Sequence, residues 1–169
     1  MPNYNLIGPI KANTITSSEI ASSEGIIFSV TTGVAIVAAN NYLGVDISNP
    51  SGSNKTLCLL NLCISSNLEV TMEIILDGLV NGTSITPHNL NTAYSSTTLT
   101  TASYKNQSGD PIASGTKIIG AFAQASGVTI YPCNGNVKIT PNHSIAFRIQ
   151  NKNGGSNNYI SLNVVYIES

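Results

Sequence analysis

The chain has 169 residues, of which 9% are charged and 41% hydrophobic, with a formal net charge of −1. That length holds one domain with a full core and is short for two, while low net charge with ample apolar content excludes a disordered chain. The basic field that nucleic acid or an anionic membrane surface requires is missing, and Ser, Thr and Asn, roughly a third of the residues, supply a polar, nearly uncharged surface on which copies repel one another little.

The N-terminal "MPNYNLIGPIKANTITSSE" has no basic stretch leading into an apolar core, so it does not read as a signal peptide. Residues 1–25 are predicted to be an extension, and 26–169 a single domain. Within the extension, Tyr4, Leu6, Ile7, Pro9 and Ile10 form an extended apolar arm, separated from the first core strand by "KANTITSSEIASSEG". An arm of this kind docks on its own sheet edge or adds as a strand to a neighbouring subunit. "SSEIASSEG" (17–25) carries capping residues but almost no apolar face, and predicts a loop or a single turn.

From residue 26 onward, apolar and polar residues alternate with the period of two that marks half-buried antiparallel strands. The predicted strands are 26–32, 34–39, 43–48, 56–65, 69–77, 97–104, 116–123, 127–131, 136–140, 144–151 and 159–167. In "EVTMEIILD", Val70, Met72, Ile74 and Leu76 share one face while Glu69, Thr71, Glu73 and Asp77 share the other. "SIAFRIQ" and "ISLNVVYIE" alternate in the same way. The longest apolar run, "GVAIVAA" (33–39), falls far short of the ~20 residues of a membrane helix. Gly-, Asn- and Pro-rich turns separate the strands at the spacing of a two-sheet sandwich, so the expected fold is all-β, a jelly-roll-type β-sandwich with an extended N-terminal arm. The polar stretch 81–115 breaks that spacing; it is expected to project from one end and to carry function or an additional strand.

"NPSGSNKT" (49–56) resembles the tail of a phosphate-binding loop, but alignment on Lys55 and Thr56 puts Asn49 and Asn54 where both glycines belong. A strand rather than a helix follows, so no helix N-terminus faces an anion. The string reads as a turn, opened by Asn-Pro with Gly52 at a positive φ. Cys58 and Cys63 are five positions apart in "TLCLLNLCI"; in a regular strand that odd offset sends them to opposite faces, one to the core and one outward. Cys133, in the turn "YPCNGN", is within reach of a disulfide to either, inside a subunit or between subunits, although the odd count favours three unpaired thiols.

His88 and His143 sit on loops without a His or Cys at metal-ligand spacing. Asp46, Asp77 and Asp110 are read as turn-capping residues, and Glu69 and Glu73, which share the outer face of one strand, as carboxylates solvated or matched by Lys on a neighbouring strand rather than as a carboxylate pair. No Gly-x-Ser-x-Gly occurs, and the seven Tyr and three Phe are scattered, forming no evident stacking platform. Four Asn-x-Ser/Thr sequons, at Asn54, Asn81, Asn106 and Asn142, are what chance yields in such a composition. The residues therefore predict no catalytic, cofactor or metal site.

The run "NPSGSNKTLCLLNLCI", followed by "MEIILDGLVNGTSITPHNLNTAYSSTT" and "ITPNHSIAFRIQNK" and closing on "YISLNVVYIE", resembles small jelly-roll proteins of spore-forming Gram-positive bacteria and their phages. The resemblance spans residues 43–169. It is similar to the subunits of endospore appendage fibres, joined by an N-terminal extension, and to decoration or fibre proteins of phage virions. Either likeness implies a non-enzymatic subunit whose partners are copies of itself, at an extracellular surface or in a virion, with a surface anchor or receptor as a further partner. Appendage proteins linked by disulfides carry cysteines in the extension; residues 1–25 have none, so a link through this arm would be non-covalent. A glycan- or receptor-binding module using 81–115 is a further expectation.

Overall fold

The computed structural model describes residues 17–95 and 97–169. The predicted arm residues Tyr4, Leu6, Ile7, Pro9 and Ile10 lie outside them. Helix α1 (Ser17–Ser23) precedes twelve strands: β1 (Ile27–Thr31), β2 (Ala35–Val37), β3 (Tyr42–Asn49), β4 (Leu57–Ser66), β5 (Val70–Leu76), β6 (Thr83–Ile85), β7 (His88–Asn89), β8 (Thr101–Gln107), β9 (Thr116–Ala123), β10 (Gly127–Ile139), β11 (His143–Asn151) and β12 (Asn158–Glu168). One sheet runs β10-β4-β12-β1-β7, with β2 pairing β12, and the other runs β6-β8-β3-β11-β5-β9. Without the short strands and β8, β1-β12-β4-β10 faces β3-β11-β5-β9, and the chain changes sheet at most connections. This is the expected jelly roll.

Alternation fills the space between the sheets. Val30, Leu59, Leu62, Ile64, Leu162 and Val164 from the first sheet meet Leu43, Val45, Ile47, Ile74, Phe147 and Ile149 from the second, all 2% exposed or less. Phe28 and Tyr166 are direct cross-strand partners, stacked with ring centroids 5.9 Å apart. A second, smaller cluster lies on the outer face of the β3-β11-β5 sheet, where Ile75 and Ala146 are covered by Val80 and Ile112. Thus the apolar Ile75, which interrupts the outward polar row of β5, is roofed rather than exposed.

Several expectations are corrected. Residues 17–23 form a seven-residue helix rather than a loop or a single turn, because the helix end is held from outside. Gly25 (φ +68°) follows it in the left-handed region, and Gly25 N–H and Ile26 N–H donate to the carbonyls of Ser22 (3.1 Å) and Ala21 (3.0 Å), a Schellman closure. Segment 89–94 then clamps that end: Asn89 Nδ2, Asn91 Nδ2 and Tyr94 OH donate to the carbonyls of Gly25, Ser22 and Ser23 at 2.6–2.7 Å. Region 81–115 does not project. It folds back along both sheets, β8 pairing β3 and β6, and β7 pairing β1.

Bulges explain the errors of phase. The two strands expected at 127–131 and 136–140 are one strand, β10, with its register broken between Pro132 and Val137. Opposite this break, β12 meets Leu59 and Asn61 with successive residues and passes over Leu60. That extra residue restores the phase of β4, so Cys58 and Cys63 both stand half-buried on the outer face, between buried Leu57, Leu59, Leu62 and Ile64. Cys133 turns inward and is 3% exposed. All three thiols are free. In "NPSGSNKT", Ser53 N–H donates to the Pro50 carbonyl at 3.0 Å, and the positive φ belongs to Asn54 (51°) rather than Gly52.

Asparagine does much of the work that charge does elsewhere. Asn40, Asn54, Asn134 and Asn142 occupy left-handed turn positions, which short amide side chains tolerate. Buried Asn151 donates to the carbonyls of Val37 (3.1 Å), Ala38 (3.0 Å) and Ser156 (2.9 Å). Replacing it with Leu keeps the bulk and leaves buried carbonyls unpaired, so Asn151→Leu is expected to lower stability by about 3 kcal/mol, read as a drop in chemical-denaturation midpoint. A loss within error of wild type would show that these bonds are dispensable.

Candidate functional site

Two surfaces stand out: the outer face of the β3-β11-β5-β9 sheet, and the open edge formed by β10. On the first, register sets residues in rows across four strands. Phe122, Thr71, Gln150 and Tyr42 form one row, and Gly120, Glu73, Arg148 and Gly44 the next. In the second row Glu73 accepts from Lys117 Nζ at 2.5 Å and from Arg148 Nε at 2.6 Å, and Arg148 Nη1 donates to Asp110. The expectation that Glu73 is matched by a lysine on the next strand therefore holds, with an arginine added.

The strand-9 partner and the 110–112 strap reach this network for different reasons. Lys117 lies on β9 beside a register shift between Ile74 and Ile75. Asp110 accepts from Ile112 N–H at 3.0 Å, capping the turn as expected, while Pro111 rests on Gly44. A Cβ at Gly44 would meet Pro111 Cγ at 2.5 Å, so only glycine admits the strap there. Burial by itself would raise the Glu73 pKa; the hydrogen bonds from Lys117 and Arg148 outweigh it and hold the carboxyl below its ordinary value of 4.5.

Asp46 does not cap a turn. It lies mid-strand on β3 and is 6% exposed, accepting from Ser103 Oγ at 2.5 Å and Ser48 Oγ at 3.1 Å. Burial pushes its carboxyl up despite these donors. His143 is held by Asp77 at 2.9 Å in an exposed pair, and His88 pairs with Ser29 at the sheet edge. Among the described residues no group of three or more His, Cys, Asp or Glu side chains is placed to hold a metal ion. No helix there is long and apolar enough to cross a membrane.

The second surface is apolar. β10 pairs only β4 among the described residues, leaving its other edge open along a strand that carries Val128 and Ile130, each 64% exposed. These stand beside Ser65 and Cys63 on the outer face of the β1-β12-β4-β10 sheet, where Ser161 and Asn163 continue the two rows. Lys138 is the one charged side chain on the strands of that face among the described residues. The sequence hid both surfaces: which residues share a row depends on pairing order and bulges, which no local pattern encodes. No protein-family model matches the chain, and no curated protein matches it.

Because the Glu73 pKa is depressed on folding, its contribution is complete above pH 4.5 and lost as pH falls through the folded value. Glu73→Gln is expected to lower the melting temperature at neutral pH, with the gap to wild type closing in acid. A gap independent of pH would show that the carboxylate is not engaged.

Proposed function

We propose that the protein is a non-enzymatic structural subunit that self-assembles into an extracellular fibre, joined by addition of the N-terminal arm of one copy to a sheet edge of the next. The observation that carries this reading is the placement of the two ends of one sheet. The chain enters the fold beside β1 and β7, where α1 is clamped by Asn89, Asn91 and Tyr94. The open edge of the same sheet, β10, lies at the opposite side of the strand order. A donor at one side and an acceptor at the other make a head-to-tail contact, which builds an open chain unless its rotation closes a ring.

Energetics favour the same edge. The first part of β10, residues 127–131, carries exposed Val128 and Ile130 and no charge, and the devices that keep edges apart, Pro132, the bulge and Lys138, all lie beyond it. Tyr4, Leu6, Ile7, Pro9 and Ile10 supply the apolar complement in the sequence, and a net charge of −1 adds little repulsion between copies.

Deleting residues 1–12 is expected to leave a folded monomer and abolish filaments in negative-stain images. Ile130→Lys in the full chain is expected to do the same by placing a charge beside the accepting edge. Filaments that persist in both variants would overturn the mechanism; closed trimers or rings in place of filaments would favour a virion component instead.

A further inference from the structure

The row Phe122, Thr71, Gln150, Tyr42 has properties that assembly through β10 does not use. It lies on the outer face of the other sheet, spanning β9, β5, β11 and β3. Phe122 closes one end, its ring 70% exposed beside a polar neighbour, Thr71. Tyr42 closes the other. With three interstrand steps between them, the aromatic side chains stand roughly 14 Å apart, the reach of a short oligosaccharide. The Tyr42 end of the row opens on a groove of about 260 Å³ lined by Tyr42, Thr71, Glu73, Arg148, Gln150 and Lys152, and Phe122 stands just past its Thr71 side.

The two sides of this groove differ in readiness. On one side Arg148 and Glu73 are fixed by each other and by Asp110 and Lys117, so planar donors and acceptors are held before any ligand arrives. The floor is the reverse. The side chains of Thr71, Gln150 and Lys152, and the Tyr42 hydroxyl, make no hydrogen bond within the described residues. The Thr71 hydroxyl and the Gln150 amide stand in the row between the two aromatic residues with their capacity unspent, and the Lys152 ammonium borders the same groove.

We infer that this groove binds an acidic oligosaccharide. Pyranose rings stack their C–H faces on Phe122 and Tyr42, whose ring faces carry negative charge density. Gln150 and Thr71 take hydroxyl groups, and Lys152 takes a carboxylate. The ligand is acidic rather than neutral because Glu73 and Asp110 are already neutralised by Arg148 and Lys117, which leaves the Lys152 ammonium as the unpaired charge among the lining residues, with the exposed Glu69 carboxylate outside the lining. A flat apolar partner is disfavoured, since no second large apolar side chain borders Phe122 along the row.

The full-length protein is applied to an array of neutral and uronate-bearing oligosaccharides, with Phe122→Ala, Tyr42→Ala and Lys152→Ala as variants. The expected result is binding to uronate-bearing chains, weakened about tenfold or more by loss of either ring and shifted toward indifference to charge by Lys152→Ala. Phe122 is exposed and Tyr42 half-buried, and an unchanged melting temperature confirms that the variants fold. Absence of binding across the array, binding confined to neutral glycans, or binding unchanged in Phe122→Ala would each overturn the assignment. Filament formation is unaffected by these variants, so the result is independent of the assembly reading.

Discussion

Three buried asparagine amides close the ends of this sandwich. A jelly roll crosses between its sheets repeatedly, and at each crossing backbone carbonyls leave the ladder where water cannot reach them. Asn49, at the end of β3, donates to the carbonyls of Lys55 and Ile139, tying the start of β4 and the end of β10 to the opposite sheet. Asn151 does the same at the end of β11 for β2 and the 152–157 connection. Asn158 exchanges a donor and an acceptor with the Leu68 backbone, between β4 and β5. An amide satisfies such groups without the desolvation cost of a buried charge. A chain poor in Asp, Glu, Lys and Arg can therefore still close its ends.

That choice has a consequence outside the core. With amides and hydroxyls meeting the structural polar needs, the few charges are free to concentrate, and they do so on one sheet. Glu73, Arg148, Asp110 and Lys117 form a connected network over β5, β9 and β11. The outer face of the other sheet presents Val128, Ile130, Cys63 and Val165, with Lys138 as its charged strand residue among those described. One sheet is suited to recognition of polar matter, the other to contact with apolar surface.

Strand existence was legible in the sequence because period two survives wherever one face is buried. β9 begins and ends where the alternation places it, and β1, β3, β4, β5, β11 and β12 differ from expectation only at their ends. What was illegible is what depends on partners. The extra residue at Leu60 inverts the predicted facing of Cys58 against Cys63. The α1 helix owes its end to Asn91 and Tyr94, about seventy residues away in sequence. Asp46 looks like a turn residue by type, yet sits mid-strand because the hydroxyls of Ser48 and Ser103 and the Val80 backbone provide for it. The polar groove was hidden for the same reason: Phe122 and Tyr42 are eighty positions apart and become neighbours in a row only through the order β9-β5-β11-β3.

For the proposed assembly, the clamp on α1 is a more direct structural argument than the arm's composition. A strand donated to a neighbour transmits force and orientation only if its root is fixed. Gly25 is the pivot: its positive φ turns the chain from helix into β1, and a Cβ there would meet Tyr94 Cγ at 2.3 Å. The helix end is thus pinned by the same 89–94 segment that covers part of the β1 edge through β7. On the proposed assembly, β7 would hinder addition at the part of β1 it covers, while β10 has no second partner strand among the described residues. The two edges of a single sheet are in this way made unequal, and inequality of edges is the condition for a directional, head-to-tail contact rather than a symmetric pair.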